Sequence, residues 1–298
     1  MSDKTKIKWA DSTLNFWEGC TKVSDGCKNC YAEARDKRFT GGKLWGKGAA
    51  RRKSESAFRL AMDYNFRPWI CDECGDAFAE AETRKTHAIE GATHCCSGKY
   101  HRRRIFSLSL GDIGDPEIPL ELFNEAMVTI DKCREVIWIL CTKRPAEFLE
   151  RWIKICGHWG RQDFTMQPNL IMLTSVENQR AADERIPLLL KIPAAFRGLS
   201  LEPLLEPVKI ASAVRLAGFD KGCNGDRKPH EGSLEWLIIG CESGHNRRDC
   251  DGSWIRSLVE QGKSAGVKVF VKQILVEGKV SHDAGQWPEW AQFQEWPI

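Results

Sequence analysis

Nowhere does this 298-residue sequence hold the ~18 uninterrupted apolar residues that a spanning helix requires, so no membrane-crossing segment is expected. Its first residues, MSDKTKIKWADS, carry charge but lack an apolar h-region and do not read as a secretory signal. Charge of one sign is also scarce, since 44 basic against 41 acidic side chains leave a net charge of only +3. With 42% hydrophobic and 29% charged residues, the chain lacks the apolar deficit of a disordered protein and the bias of a fibrous one. A soluble globular α/β protein with ample core material is expected. Without a secretory signal, its 13 cysteines read as thiols and metal ligands in a reducing cytoplasm, not as a disulfide framework.

The balanced charge conceals two basic runs. Between Arg35 and Lys53 stand eight basic residues, ending in Arg51, Arg52 and Lys53, against the single acid Asp36. A second run, KYHRRR, ends in Arg102, Arg103 and Arg104. Both suit contact with a phosphate backbone, and both suit a solvated loop.

From residue 105 onward short apolar runs alternate with amphipathic stretches. The runs are 105–110, 136–141, 170–174, 196–201, 234–240 and 268–272, with 13–17 as a first strand. Helical patterns fall at 119–131, 145–155, 178–190 and 254–265. Runs of this kind read as parallel strands buried on both faces and joined by right-handed βαβ crossovers. Polar residues follow nearly every run: Ser109 and Asp112; Thr142, Lys143 and Arg144; Ser175, Glu177 and Asn178; Glu202; Glu242 and Ser243; Lys272 and Gln273. Polar groups at successive carboxyl ends converge on the mouth of a β/α barrel, whereas a doubly wound sheet collects them only at its switch point. The expectation is one domain over 1–298, a partial (β/α)6 barrel with a seventh strand. Residues 40–104 and the polar loop 218–233 break the cadence and read as insertions.

After the first strand comes Cys20-x6-Cys27-x2-Cys30, followed by Tyr31. Three thiolates in a first βα loop suit a [4Fe–4S] cluster whose fourth iron is left open, and an open iron can chelate the amino and carboxylate groups of S-adenosylmethionine (SAM). Zinc with a fourth ligand such as Cys241 or Cys250, or three packed thiols, answer to the same spacing. A second constellation, Cys71-x2-Cys74 followed by His87 and then by His94 or Cys95, has the spacing of a small structural zinc module at 69–96 with Phe78 as its core aromatic. Such a module either grips nucleic acid or staples an insertion too small for its own core.

Taken in order, GCTKVSDGCKNCYAE (19–33), RIFSLSLGDIGD (104–115), ILCTKRPAEF (139–148), TSVENQRAADERIPLLL (174–190), LSLEPLLEPV (199–208), WLIIGCESG (236–244) and VKVFVKQ (267–273) resemble the phage Gp37/Gp68 family, also called the DUF5131 or three-Cys-motif family. The resemblance implies a radical-SAM-like iron–sulfur protein of phages and bacteria that modifies or repairs a nucleic acid or nucleotide, often encoded beside a partner protein. It implies Cys20, Cys27 and Cys30 as cluster ligands. By analogy with radical-SAM barrels it sets Ser109 and Asp112 against the SAM amino group and Ser175, Glu177 and Asn178 against the ribose. Gly111-Asp112 replaces the usual Gly-Gly-Glu element.

Lys143, Arg144, Glu202, Glu242 and Lys272 are left for a substrate. The function expected is therefore a radical-SAM enzyme fed electrons by a flavodoxin or ferredoxin. The competing expectation is a zinc-stabilised protein that binds nucleic acid or a host factor without chemistry. A metal-dependent hydrolase fits less well, because no histidine except His245 accompanies the strand-end carboxylates.

Overall fold

The computed structural model describes residues 5–79, 99–161, 164–210, 233–244 and 246–298. Its centre is an eight-stranded sheet. Seven strands are parallel: β1 (Ser12–Leu14), β7 (Arg104–Ser107), β8 (Ile137–Thr142), β9 (Leu170–Ser175), β10 (Phe196–Leu201), β11 (Trp236–Gly240) and β12 (Lys268–Val276). They lie side by side in chain order, and β13 (Lys279–Ser281) closes the far edge as an antiparallel hairpin with β12. The remaining strands stand apart: β2 (Trp17–Glu18) pairs with β3 (Arg52–Lys53), and β4 (Trp69–Cys71) lies between β5 (Ala77–Phe78) and β6 (Tyr100–Arg102).

The sheet separates two apolar clusters. On one face Ile105, Trp138, Leu140, Met172, Leu199, Leu237 and Val269 pack with every long crossover helix. Those helices are α2 (Glu55–Phe66), α3 (Leu120–Lys132), α4 (Pro145–His158), α5 (Gln179–Leu189) and α6 (Gly252–Ser264). On the other face Ile139, Leu173, Trp236, Ile238 and Phe270 pack with Trp9, beside Phe106 and Trp296. Chain-order strands with right-handed crossovers must leave all helices on one side, so the sheet is singly wound. That arrangement agrees with the expected parallel α/β architecture and excludes the doubly wound alternative. Barrel closure is not found among the described residues, since the strand order has two ends. The C-terminal segment instead caps the inner face: Glu295 donates its N–H to Val269, Trp296 Nε1 donates to the Trp9 carbonyl, and Arg104 stacks 4.3 Å from the Trp296 ring.

The sequence periods locate β10 to the residue and most other elements to within two or three. Two differences have clear causes. The first strand ends at Leu14, and Trp17 leaves the sheet to pair with Lys53, because the chain turns there into the cysteine loop. Residues 55–66, inside the stretch read as an insertion, form the β1-to-β7 crossover helix. Its Ala57, Ala61 and Tyr64 belong to the main core, a small-residue face that a search for large apolar spacing passes over. The 218–233 loop, except Ser233, lies outside the described residues.

Candidate functional site

A cavity of about 390 Å³ opens at the carboxyl ends of the parallel strands. Its walls include Cys20, Cys27 and Cys30, Ser109 and Asp112 after β7, Cys141 to Arg144 at β8, and Ser175 ending β9. Ser200 and Glu202 at β10, Glu242 and Ser243 after β11, and Lys272 on β12 complete it. The structure thus brings the three cysteines and most of the strand-end residues to one place, where a parallel α/β sheet collects polar side chains.

The cysteine loop is held from four directions. Gly19 has φ +112° and sits so close to the Leu44 carbonyl that a Cβ would lie 2.4 Å from it, so only glycine lets the chain enter Cys20. Cys20 then bridges Trp45, Cys27 ends a 3₁₀ turn at Asp25–Cys27, and Cys30 is the N-cap of α1 (Tyr31–Thr40). Gly26 rests on Glu177, where an added Cβ would come within 3.0 Å of the carboxyl carbon. From β11, Glu242 accepts from Asn29 at 3.1 Å and pairs with Arg248, which donates to the Asp25 carbonyl at 2.8 Å. From β8, Arg144 donates to the Thr21 carbonyl and places Nη1 3.5 Å from Cys20 Sγ.

Several side chains with an expected ligand role have an internal one. Asp112 is buried, pairs with Arg144 at 3.2 Å, and accepts from the backbone N–H of Gly114 and Lys143 and from the Thr142 hydroxyl. Glu177, also buried, forms a two-point ion pair with Arg185 at 2.8 and 3.2 Å and does not line the cavity. Asn178 caps α5 by accepting from Ala181 N–H at 2.8 Å. Ser109 exchanges hydrogen bonds with Asn15. Glu202 pairs with Lys272 and also accepts from Gln273 at 3.3 Å.

Lys143 differs from all of these. Its ammonium donates to the Ser175 hydroxyl at 3.1 Å and has no carboxylate within ion-pair distance among the described residues.

Burial sets the protonation of the thiols. It pushes Cys20 up to about 12, with nearby Asp112 adding to the effect and Arg144 opposing it. Cys30 and Cys141 are raised for the same reason, with Lys143 opposing. Burial pulls Lys143 down, but the Cys27 and Cys141 sulfurs and the Glu177 and Asp112 carboxylates outweigh it and hold the ammonium above its ordinary value. Burial likewise opposes ionisation of Glu242, and the hydrogen bonds from Arg248 and Asn29 overcome it.

Among the described residues no three His, Cys, Asp or Glu side chains converge where one metal ion could sit. A four-iron cluster asks for something else, three thiols standing around a cavity. Cys20, Cys27 and Cys30 meet that condition, and the Arg144 and Lys143 cations partly offset the burial that holds Cys20 and Cys30 as thiols. Cys241 and Cys250 are buried and do not line this cavity.

In the second constellation, Cys71 on β4 and Cys74 form a tight turn in which Gly75 N–H donates to the Cys71 carbonyl and Gly75 takes φ +73°. His87, His94 and Cys95 lie outside the described residues.

The basic runs are not a uniform phosphate-binding face. Arg51 is almost wholly buried: it pairs with Asp115 at 2.8 Å and donates to Thr21 Oγ1 and to the carbonyls of Leu44, Gly46 and Ala49. Arg103 is buried over the Tyr64 ring and donates to Ser12. Arg104 pairs with Asp11. Arg52, Lys53 and Arg102 remain near the surface, partnered by Glu18, by Glu55 and Glu125, and by the Glu135 carbonyl. Sequence reasoning missed Arg185 and Arg248, and it assigned Arg51 to the surface. A basic run carries no signal of which member turns inward.

No described helix is long and apolar enough to cross a membrane. The chain matches, over residues 4–286, the model of the family described as "Protein of unknown function (DUF5131)", and it belongs to that family. No curated protein and no solved structure matches it.

Proposed function

Starting from membership of the DUF5131 family, we propose that this chain is a radical-SAM enzyme in which Cys20, Cys27 and Cys30 hold a [4Fe–4S] cluster. The observation that carries the reading is the gathering of all three loop thiols and the strand-end polar groups around one cavity. The singly wound sheet with all its crossover helices on one face supports reading it as a partial (β/α)6 barrel with a seventh strand.

When bound, such a cluster supplies one electron to cleave the sulfonium of SAM and so generate a radical able to take a substrate hydrogen. The chain's own residues do the rest. The Glu242–Arg248 pair, Glu177 and Arg144 fix the loop that presents the thiols. Ser175, Ser200 and Ser243 offer hydroxyls to a bound nucleoside, and Glu202 with Lys272 forms the opposite wall. Ile7, Trp9 and Phe106 of the inner cluster keep that part of the cavity wall apolar.

The substrate proposed is a nucleotide or nucleic acid, and an external flavodoxin or ferredoxin would deliver the electron. A structural zinc at Cys71, Cys74, His87 and His94 or Cys95 is part of the same proposal. The competing reading is zinc in the cysteine loop of a non-catalytic binding protein.

The test is made on anaerobically purified protein: iron, sulfide and zinc content, a visible spectrum, then dithionite with SAM and an assay for 5′-deoxyadenosine. About four irons per chain, a brown colour and released 5′-deoxyadenosine, all lost in Cys30→Ala, are expected. A colourless protein that takes up zinc alone after reconstitution and leaves SAM intact would overturn the reading.

A further inference from the structure

Among the described residues the charged side chains around the cavity stand in ion pairs, with one exception. Lys22 meets Glu33 at 2.7 Å, Arg144 meets Asp112 at 3.2 Å, Arg248 meets Glu242 at 2.5 Å, and Lys272 meets Glu202. Lys143 lines the same cavity, partly buried, and among the described residues its ammonium has a single hydroxyl, Ser175 Oγ at 3.1 Å, as its hydrogen-bond partner. The Glu177 and Asp112 carboxylates favour its charge from a distance but make no ion pair with it, so the ammonium keeps donor capacity that a ligand anion can take up. Arg144, its neighbour in sequence, is already committed to Asp112, Cys20 and the Thr21 carbonyl.

We infer that Lys143 is the anion-holding residue of this cavity, and that the molecule bound there carries a phosphate or carboxylate set against the Lys143 ammonium and the Ser175 hydroxyl. The inference rests on the proposed function in taking this cavity for the reaction site, and it deepens that reading by fixing the charge of the ligand. Ser175 belongs to the same grip, because a hydroxyl beside an ammonium donates a second hydrogen bond to the same oxyanion. The two sources of such a group are the substrate's phosphate and the carboxylate of SAM.

Titration calorimetry on the full chain, both as purified and after cluster reconstitution, separates these cases. Inorganic phosphate and AMP are expected to bind, adenosine to bind at least about tenfold more weakly, and Lys143→Met to erase that difference while Lys143→Arg keeps most of it. Phosphate binding unchanged by saturating SAM assigns the anion to the substrate; phosphate displaced by SAM assigns it to the SAM carboxylate. Equal binding of phosphate and AMP by wild type and Lys143→Met, or no binding of either to wild type, would overturn the inference.

Denaturant unfolding supplies an independent readout. Removal of an unpaired charge by an apolar side chain of similar length should leave Lys143→Met at least as stable as wild type, whereas a merely structural lysine would lower stability. A chain that loads no iron but still binds phosphate through Lys143 would refute the proposed chemistry and leave this inference standing.

Discussion

Arg144 Nη1 lies 3.5 Å from Cys20 Sγ and 3.2 Å from Asp112, so one guanidinium joins the end of β8, the β7 loop and the first thiol of the cysteine motif. Both charged side chains are buried. Arg144→Gln leaves the Asp112 carboxylate without its countercharge and should cost about 3 kcal/mol, read from denaturant unfolding. The same variant removes a positive charge from beside Cys20, a ligand of the proposed cluster. If the proposed cluster is present, it should after reconstitution show a lower midpoint potential by spectroelectrochemistry, and an unchanged potential would place Arg144 away from it.

The contrast between adjacent arginines is sharper still. Arg51 spends its guanidinium on Asp115, Thr21 and three carbonyls in the interior, while Arg52 meets Glu18 in a largely exposed pair. Arg51→Ala should destabilise the chain by about 3–5 kcal/mol, and Arg52→Ala by less than about 1 kcal/mol. Thermal or denaturant unfolding of the two variants side by side decides it, and equal effects would refute the assignment.

Glu177 was expected to meet a ribose by analogy, yet it is buried against Arg185 and supports Gly26 from behind. Glu177→Ala should cost about 3 kcal/mol by stranding the arginine. Gly26→Ala, which must push the loop off the carboxylate by a few tenths of an ångström, should lower iron uptake while changing stability far less. Iron content against unfolding midpoint separates the two effects.

The N-terminal segment makes stability depend on pH. Burial alone would raise the Asp11 carboxyl, but hydrogen bonds and charges from His101 and Arg104 hold it at about 2, below its ordinary 3.8. The unfolded chain therefore binds the proton first on acidification. Stability present above pH 3.8 is lost as pH falls toward 2, by up to about 2 kcal/mol.

His101 shifts the other way. Burial lowers it, and Asp11 and Asp72 more than compensate, so its pKa rises above 6.5. Its contribution is complete below pH 6.5 and fades as pH rises through the folded value. Asp11→Asn should flatten both slopes in unfolding midpoints followed across pH, and unchanged slopes would show that other groups set them.

The sequence by itself determined the architecture. Uninterrupted apolar runs such as residues 137–141 read as strands buried on both faces, and the amphipathic stretches between them as crossover helices, while the structure decided that all of these lie on one side. The sequence also placed Ser109, Lys143, Ser175, Glu202 and Glu242 at one mouth, because strand ends in a parallel sheet share a direction.

What only the tertiary structure decided is which of those charges are free. Asp112, Glu177 and Asn178 look like ligands in sequence and prove to be joints, because their partners Arg144, Arg185 and the Ala181 N–H are set by helix and loop geometry. Lys143 and Arg144 are neighbours with the same charge. One turns into an ion pair and the other meets only the Ser175 hydroxyl among the described residues, a difference made by side-chain direction at the end of β8.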